Sequence, residues 1–159
     1  MQTAVKRIAA KMNDDLSDAQ PLFLIVLNGS FMFAADLVRE LNIASELSFI
    51  KLASYSGMQS SGQIKQMIGL TDSVQNRTVV IIEDIVDTGK TVQHIEEQLL
   101  AEGAKKVLVA TALFKPEALQ TGRLPDYVCH EIENVFVVGY GLDYDGLGRN
   151  LKEIHILAD

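Results

Sequence analysis

Short, unbroken apolar runs alternate with amphipathic stretches along this chain, and that alternation constrains the fold more than any other feature. Leu22–Leu27 reads LFLIVL and Thr78–Ile82 reads TVVII, each without an interior charged residue. The stretches Phe31–Leu41 and Thr91–Ala101 instead repeat apolar residues every three or four positions, as one face of a helix does. Strands that helices cover on both faces show such unbroken runs. The pattern therefore predicts an α/β fold, a doubly wound, mainly parallel sheet flanked by helices.

The remaining elements follow from the same reasoning. Further strands are predicted at Glu46–Leu52, Val107–Phe114, Tyr127–Cys129, Val135–Val138 and Glu153–Leu157. The segment Ser54–Gly62 is polar and rich in Gly and Ser, which predicts a mobile loop. In sheets of this kind, ligands bind outside the carboxyl ends of the strands. The residues that follow the strands are therefore the first candidates for function.

The composition limits the class of protein. A length of 159 residues suits one domain, and 48% hydrophobic residues exclude disorder over most of the chain. A single cysteine, Cys129, excludes an internal disulfide framework and a Cys-rich zinc site. A net charge of −7 argues against broad nucleic-acid binding, which needs a basic surface. No apolar run approaches about 18 residues and no signal-peptide pattern begins the chain, so we expect a cytoplasmic protein without membrane contact.

The segment Glu83–Thr91, EDIVDTGKT, carries the strongest chemical signal. Two adjacent carboxylates come directly after the apolar run Thr78–Ile82, where burial is unfavourable unless a partner neutralises them. The residues that follow supply hydroxyls, a lysine and free backbone amides at a predicted helix N-terminus, which is the geometry of an anion site. Gly89 would let the backbone approach a phosphate closely. The alternative is a plain helix cap, with Thr88 or Thr91 as N-cap, but a cap leaves the two carboxylates unexplained.

Two familiar phosphate motifs do not fit. Gly89-Lys90-Thr91 matches the end of the Walker A pattern, but Asp84 occupies the position of its first glycine. Gly139 and Gly141 begin a dinucleotide fingerprint, but Tyr144 replaces its last glycine. A phosphorylated sugar fits the residues better, because its phosphate suits the anion site and its diol offers two donors to the carboxylates.

The segment VVIIEDIVDTGKT resembles the signature of the type I phosphoribosyltransferases, which bind 5-phosphoribosyl-1-pyrophosphate (PRPP). Within that superfamily the chain is similar to the hypoxanthine-guanine phosphoribosyltransferases from about Leu24 to its C-terminus. The other segments that carry the resemblance are VLNGSFMFAADLVREL (Val26–Leu41), Ser54-Tyr55 with SSGQIK (Ser60–Lys65), Leu113-Phe114-Lys115 and PDYVCHEIENVFVVGYGLDY (Pro125–Tyr144).

The resemblance assigns the sugar phosphate to the signature segment. It implies that Glu83 and Asp84 hold the ribose hydroxyls. The 5′-phosphate would lie against five consecutive residues, Asp87, Thr88, Gly89, Lys90 and Thr91.

The resemblance also implies a purine site. Asp87 lies where the family places the acid–base group that faces the purine N7, and Lys115 matches the lysine that donates to the exocyclic oxygen of a 6-oxopurine. Phe136 matches the aromatic residue that stacks on the base, and the backbone of Val137 would read the base edge. Without the resemblance, Phe136 would be plain core and Lys115 an exposed loop lysine.

The leaving group and its metal are implied in the same way. Asn28 and Gly29 match the pyrophosphate loop, where the family often has a cis peptide bond, and Arg149 matches a pyrophosphate contact. Asp143 matches a ligand of Mg²⁺, and Glu83 and Asp84 are its further candidate ligands. Asn28 departs from the family, which usually has a lysine there, and this puts the detail of pyrophosphate binding in question.

The remaining expectations concern organisation. Ser54 and Tyr55 would close over the site as part of a lid at Ser54–Lys65 that excludes water. The chain would be one phosphoribosyltransferase domain, 1–159. Its core would span about residues 15–115, and a small hood over the base about residues 116–159 with some N-terminal residues.

The implied reaction is purine salvage: hypoxanthine or guanine and PRPP give IMP or GMP and pyrophosphate. Partners would be PRPP, a 6-oxopurine and further copies of the chain in a homodimer or homotetramer, with no nucleic acid. Three alternatives stay open: a xanthine-preferring enzyme, a non-catalytic PRPP-sensing RNA-binding regulator of the same fold, and a plain α/β interaction module.

Overall fold

The computed structural model describes residues 1–54, 64–68, 70 and 72–157. Three α-helices and eight strands are described within these ranges. In chain order they are α1 Gln2–Asp15, β1 Leu22–Leu27, α2 Phe31–Arg39, β2 Glu46–Ser54, β3 Ile64–Ile68, β4 Thr78–Val86, α3 Lys90–Ala101, β5 Lys106–Phe114, β6 Tyr127–Glu131, β7 Val137–Val138 and β8 His155–Ile156. A short 3-10 helix, Pro116–Ala118, follows β5.

The central sheet has the order β3-β2-β1-β4-β5-β6. The five strands β2, β1, β4, β5 and β6 are parallel, which confirms the predicted α/β architecture. Strand β3 is an antiparallel edge strand beside β2. The predicted lid ended at Lys65, but Ile64 and Lys65 already belong to β3, so that boundary was wrong. Ser54 is the last residue of β2, and the rest of the predicted loop lies outside the described residues.

Helices cover both faces of the sheet. The apolar faces of α1 and α2 pack on one side, against alternate residues of β1 and β4 such as Phe23, Ile25 and Val80. Helix α3 packs on the other side through Val92, Ile95 and Leu99. No helix in the described ranges is long and apolar enough to span a bilayer.

The face of α2 differs from the prediction. The predicted apolar face of Phe31–Leu41 includes Phe31, but Phe31 is exposed and Phe33 is fully buried. Phe31 instead forms an exposed apolar surface with Leu47 and Phe49 of β2. Within the described part of the chain, the face of the sheet that packs against α2 is therefore only partly covered at β2.

Elements on both sides of the predicted core range, about residues 15–115, take part in the main sheet and its packing. Helix α1 lies in the core, where Val5 and Met12 are fully buried, and β6 extends the central sheet. Strands β7 and β8 form a second, two-stranded antiparallel sheet, and Val137 of β7 packs in the same hydrophobic core as α1 and α2.

The sheet opens where the strand order reverses. Strand β1 pairs with β4 only as far as Ile25 and Ile82, whereas β4 continues beside β5 to Val86 and Phe114. Beyond Ile82, the edge of β4 that faces β1 is therefore free of strand pairing. Crevices at such a reversal are where open α/β sheets bind ligands.

Candidate active site at the carboxyl ends of β1, β4 and β5

The two adjacent carboxylates lie in this opening. Glu83 and Asp84 are part of β4 itself, not residues that follow it, because pairing with β5 extends the strand to Val86. Glu83 is buried, and its Oε2 has no hydrogen-bond partner. Desolvation, and then the charge of Asp84, raise the pKa of Glu83 well above its ordinary value. The Asp84 amide donates to the other oxygen, Oε1, at 3.4 Å. A buried carboxylate oxygen without a partner is unfavourable for folding alone, which indicates a functional role.

Asp84 is held against the loop that follows β1. Its Oδ1 accepts a hydrogen bond from the Ile85 amide at 2.7 Å, and a Cβ atom added to Gly29 would overlap its carboxylate. Burial raises the pKa of Asp84, and the positive charge of Arg149 opposes that rise. Gly29 and Asp84, predicted for pyrophosphate and for ribose, are thus direct neighbours.

The loop after β1 has the expected backbone. The peptide bond between Leu27 and Asn28 is cis, as the resemblance implies. Asn28 is exposed. The backbone carbonyl of Asn28 accepts a hydrogen bond from the Phe31 amide at 3.3 Å. The Ser30 hydroxyl donates to the Val26 carbonyl at 2.5 Å and fixes the loop to the end of β1.

Arg149 joins the loop between β7 and β8 to this cluster. It donates to the Gly141 carbonyl at 2.8 Å and pairs with the Asp143 carboxylate at 2.5 Å. A Cβ atom on Gly141 would overlap the Gly29 carbonyl. Gly29 therefore lies between Asp84 and Gly141, and the predicted residues Asp143 and Arg149 reach the same opening through Gly141.

The predicted anion site lies at the turn into α3. Gly89 is the N-cap of that helix with φ at 80°, and no side chain caps the helix. The alternative in which Thr88 or Thr91 is the N-cap is therefore wrong. A Cβ atom on Gly89 would also overlap Thr121 Oγ1, a buried hydroxyl without a hydrogen-bond partner. Lys90 and Thr91 occupy the exposed first turn. The Lys90 amide donates to Thr88 Oγ1 at 3.5 Å, and the first turn of a helix leaves its other amides without partners in the helix.

Lys115 and Asp87 form an ion pair beside the predicted anion site. The Lys115 ammonium lies 3.0 Å from Asp87 Oδ2, and the Lys115 side chain is only 9% exposed while that of Asp87 is 44% exposed. Lys115 immediately follows β5 and is not the exposed loop lysine of the alternative interpretation. A buried ammonium beside a solvent-facing carboxylate presents one donor and one acceptor side by side.

Phe136 and Val137 lie at the start of the small ladder. Phe136 is 52% exposed, so it is not core, whereas Val137 is buried. The Leu157 amide donates to the Phe136 carbonyl at 3.1 Å, beside the Val137–Ile156 pair. In an antiparallel ladder this arrangement directs the amide and carbonyl of Val137 away from β8. The backbone amide and carbonyl of Val137 can therefore form hydrogen bonds with the edge of a ligand.

The chemistry of the donor set fits a hard divalent cation. Glu83, Asp84 and Asp143 offer carboxylate oxygens, and one oxygen of Glu83 is buried without a partner. Within the described ranges, however, no group of three or more His, Cys, Asp or Glu residues is placed to hold a metal ion by itself. A cation here would need ligand oxygens from a substrate, as Mg²⁺ commonly does.

Sequence reasoning missed two residues that contribute to this site, Gly141 and Thr121. Gly141 was noted only as part of a failed glycine motif, and Thr121 was not noted at all. The closely spaced glycines Gly139 and Gly141 were the signal in the sequence, and both residues have positive φ in the structure. Ser54 lies at the end of β2, and Tyr55 lies outside the described residues.

Comparisons with known proteins agree with one another on the family and the fold. A family model described as a phosphoribosyl transferase domain matches residues 1–145. A hypoxanthine-guanine phosphoribosyltransferase of Streptococcus agalactiae is 37% identical over 155 residues, covering 97% of this chain and 86% of the relative. A hypoxanthine phosphoribosyltransferase structure from Staphylococcus aureus has a TM-score of 0.91 at 32% identity, covering 99% of this chain and 89% of the other. The Trypanosoma cruzi enzyme in complex with the product IMP has a TM-score of 0.92 at 35% identity, covering 99% and 89%.

Proposed function

Because the chain belongs to the phosphoribosyltransferase family, we propose that it transfers the 5-phosphoribosyl group of PRPP to hypoxanthine or guanine. The products are IMP or GMP and pyrophosphate, and the role is purine salvage. The names of these relatives give either hypoxanthine or both hypoxanthine and guanine as the base. The Trypanosoma cruzi enzyme binds the product IMP.

The observation that carries the choice of base is the Lys115–Asp87 pair. A 6-oxopurine presents its O6 acceptor and its N7–H donor side by side, and an ammonium 3.0 Å from a carboxylate offers the complementary donor and acceptor. Adenine would instead place a 6-amino donor against the ammonium. Buried mismatches of this kind discriminate by about 10⁴-fold.

The remaining residues divide between sugar and leaving group. Glu83 and Asp84 accept hydrogen bonds from the ribose hydroxyls, and the turn at Gly89 receives the 5′-phosphate with the amides of the first turn of α3. The loop at Asn28 and Gly29 and the guanidinium of Arg149 hold pyrophosphate. The exposed Asn28 side chain contributes no charge there, so the charged contact in this part of the site comes from Arg149.

In the reaction, the bond from C1′ to the pyrophosphate oxygen breaks, the purine N9 bonds to C1′, and the N7 proton passes to Asp87. Mg²⁺ is the proposed cofactor, held by Asp143, Glu83 and Asp84 together with substrate oxygens, and when bound it neutralises charge on the leaving group. Ser54 and Tyr55 keep their proposed role in excluding water from the site.

The proposal extends to organisation. The chain is one phosphoribosyltransferase domain, with the base covered by the β7–β8 unit as its hood. The exposed apolar surface of Phe31, Leu47 and Phe49 supports a homodimer or homotetramer. The cytoplasm is the proposed compartment, since PRPP is too highly charged to cross a membrane unaided.

Glu83→Gln is expected to stabilise the fold and weaken PRPP binding. Burial raises the pKa of Glu83 above its unfolded value, so its favourable contribution is present below about pH 4.5 and is lost as pH rises through the folded pKa. The variant should therefore melt about 2–4 °C higher than the parent near pH 8, which corresponds to about 1 kcal/mol, with the difference vanishing towards pH 4. Because the amide replaces one acceptor oxygen of the carboxyl group with a donor, KM for PRPP should rise about tenfold.

Thermal melting across this pH range and PRPP kinetics at pH 8 measure the two effects. A variant that melts lower at pH 8, or that keeps the parent KM for PRPP, would contradict the role given to Glu83.

Pyrophosphate release from PRPP and Mg²⁺ tests the function, with hypoxanthine, guanine, xanthine and adenine in parallel. Turnover with hypoxanthine or guanine but not adenine is expected, and EDTA should abolish it. A clear preference for xanthine would identify the xanthine enzyme instead. PRPP binding without turnover, with salt-dependent RNA binding, would favour the regulator. No binding of PRPP would leave only the interaction module.

A further inference from the structure

Two half-exposed aromatic rings meet beside the base site. The centroids of Phe136 and Tyr144 are 5.8 Å apart, with an interplanar angle of 83°, and the two side chains are 52% and 50% exposed. Edge-to-face pairs of this kind are a favoured arrangement of aromatic side chains. In a T-shaped pair, at least one face of Phe136 remains uncovered by Tyr144. The contact therefore leaves a ring face available for a stacked base.

Tyr144 itself is fixed by a tight turn. Tyr144 and Leu147 exchange two backbone hydrogen bonds of 3.0 Å, and the two residues between them, Asp145 and Gly146, have φ of 49° and 83°. Positive φ at both central positions defines a type I′ turn, which Asp-Gly favours. Asp143 accepts a hydrogen bond from the Gly146 amide at 2.8 Å, so the proposed metal ligand is part of the same turn.

We propose that Tyr144 is a positioning residue for the purine. Resting edge to face on Phe136, it limits the rotation of that ring and holds it ready for stacking before the base arrives. Removing Tyr144 would leave the ring half exposed and free to rotate, so the base would have to order it on binding. This inference rests on the proposed function, since it assigns Tyr144 to the base half of that site.

The effect should fall on the base and not on PRPP. In Tyr144→Ala, KM for hypoxanthine should rise about three- to tenfold, the range that an aromatic pair supports. KM for PRPP and kcat should stay within about twofold, because the backbone of the turn and Asp143 are kept. Tyr144→Phe retains the ring and should restore the parent KM for hypoxanthine.

Leu147→Ala is the matched control. Leu147 closes the same turn, its side chain is 76% exposed, and the aromatic pair does not include it. If the turn alone mattered, both alanine variants would alter the kinetics alike and melt lower. We expect Leu147→Ala to keep all three kinetic constants.

A double-mutant cycle with Phe136 separates positioning from a direct contact. In a Phe136→Ala background, Tyr144→Ala should cause no further loss of IMP affinity in calorimetric titration, since the ring that it positions is absent. Equal losses in both backgrounds, an unchanged KM for hypoxanthine, or a parallel rise in KM for PRPP would each overturn the inference. Failure of the proposed function looks different, because the parent protein would then neither turn over hypoxanthine nor bind IMP.

Discussion

Lys115→Met is expected to remove the preference for 6-oxopurines. The parent should favour hypoxanthine over adenine by about 10⁴-fold in kcat/KM, and the variant should reduce that ratio to within about tenfold. Most of the change should come from a fall in activity with hypoxanthine, because O6 loses its donor. Adenine loses the repulsive donor–donor contact and should be turned over at least as well as by the parent. Parallel kinetics with the two bases at saturating PRPP measure the ratio.

The fold should tolerate this substitution. The Lys115 side chain is 9% exposed, and methionine replaces its length with an apolar chain. Removing one partner of an ion pair is destabilising chiefly when the charge that remains is buried and uncompensated. Its partner Asp87 is 44% exposed, so water solvates the carboxylate that remains. The melting temperature should therefore not fall, which separates loss of specificity from loss of structure.

Lys106→Met is the matched control for Lys115→Met, because Lys106 begins the same strand at its opposite, exposed end. It should keep the parent ratio between the two bases. A variant at Lys115 that keeps rejecting adenine would show that another group reads the 6-position, and the argument from the Lys115–Asp87 pair would then be wrong.

Much of the fold could be predicted because the central strands of a parallel sheet are covered on both faces. β1, the apolar start of β4, and β5 read as unbroken apolar runs for that reason. The edge strand β3, IKQMI, has no such run and was not predicted, and its first two residues were included in the predicted lid. The face of α2 was misplaced because Phe31 and Phe33 are both large and apolar, and only the tertiary packing decides which is buried.

The residues of the candidate site could be named from the sequence, but their mutual contacts could not. The signature segment is local, so its order along the chain is enough to indicate an anion site. Asp84, Gly29 and Gly141 meet only because β1 and β4 diverge after Ile82, which depends on the register between two strands. The Tyr144–Phe136 contact likewise depends on the turn that Asp145 and Gly146 form. Residue types predict the chemistry of this site, whereas strand register and turns determine which side chains come into contact.

Gly29→Ala tests whether this three-way contact matters for catalysis. Gly29 is not among the glycines with positive φ, so its backbone accepts alanine without strain. The new Cβ would overlap the Asp84 carboxylate, which is the movable end of a side chain and would have to rotate away. Displacing a substrate-binding group by about 1 Å can reduce the rate about 100-fold. We expect kcat/KM for PRPP to fall by about 100-fold or more, while the melting temperature changes little.

Gly122→Ala is the matched control for Gly29→Ala. Nothing lies within 4 Å of a Cβ atom at Gly122, and its φ is not positive, so this variant should keep the parent kcat/KM for PRPP. The cause can be isolated by combining Gly29→Ala with Asp84→Ala. If alanine at position 29 acts by displacing the Asp84 carboxylate, the double variant should be no worse than Asp84→Ala alone. Losses that simply multiply would show that Gly29 acts independently of Asp84, through its own backbone contact with pyrophosphate.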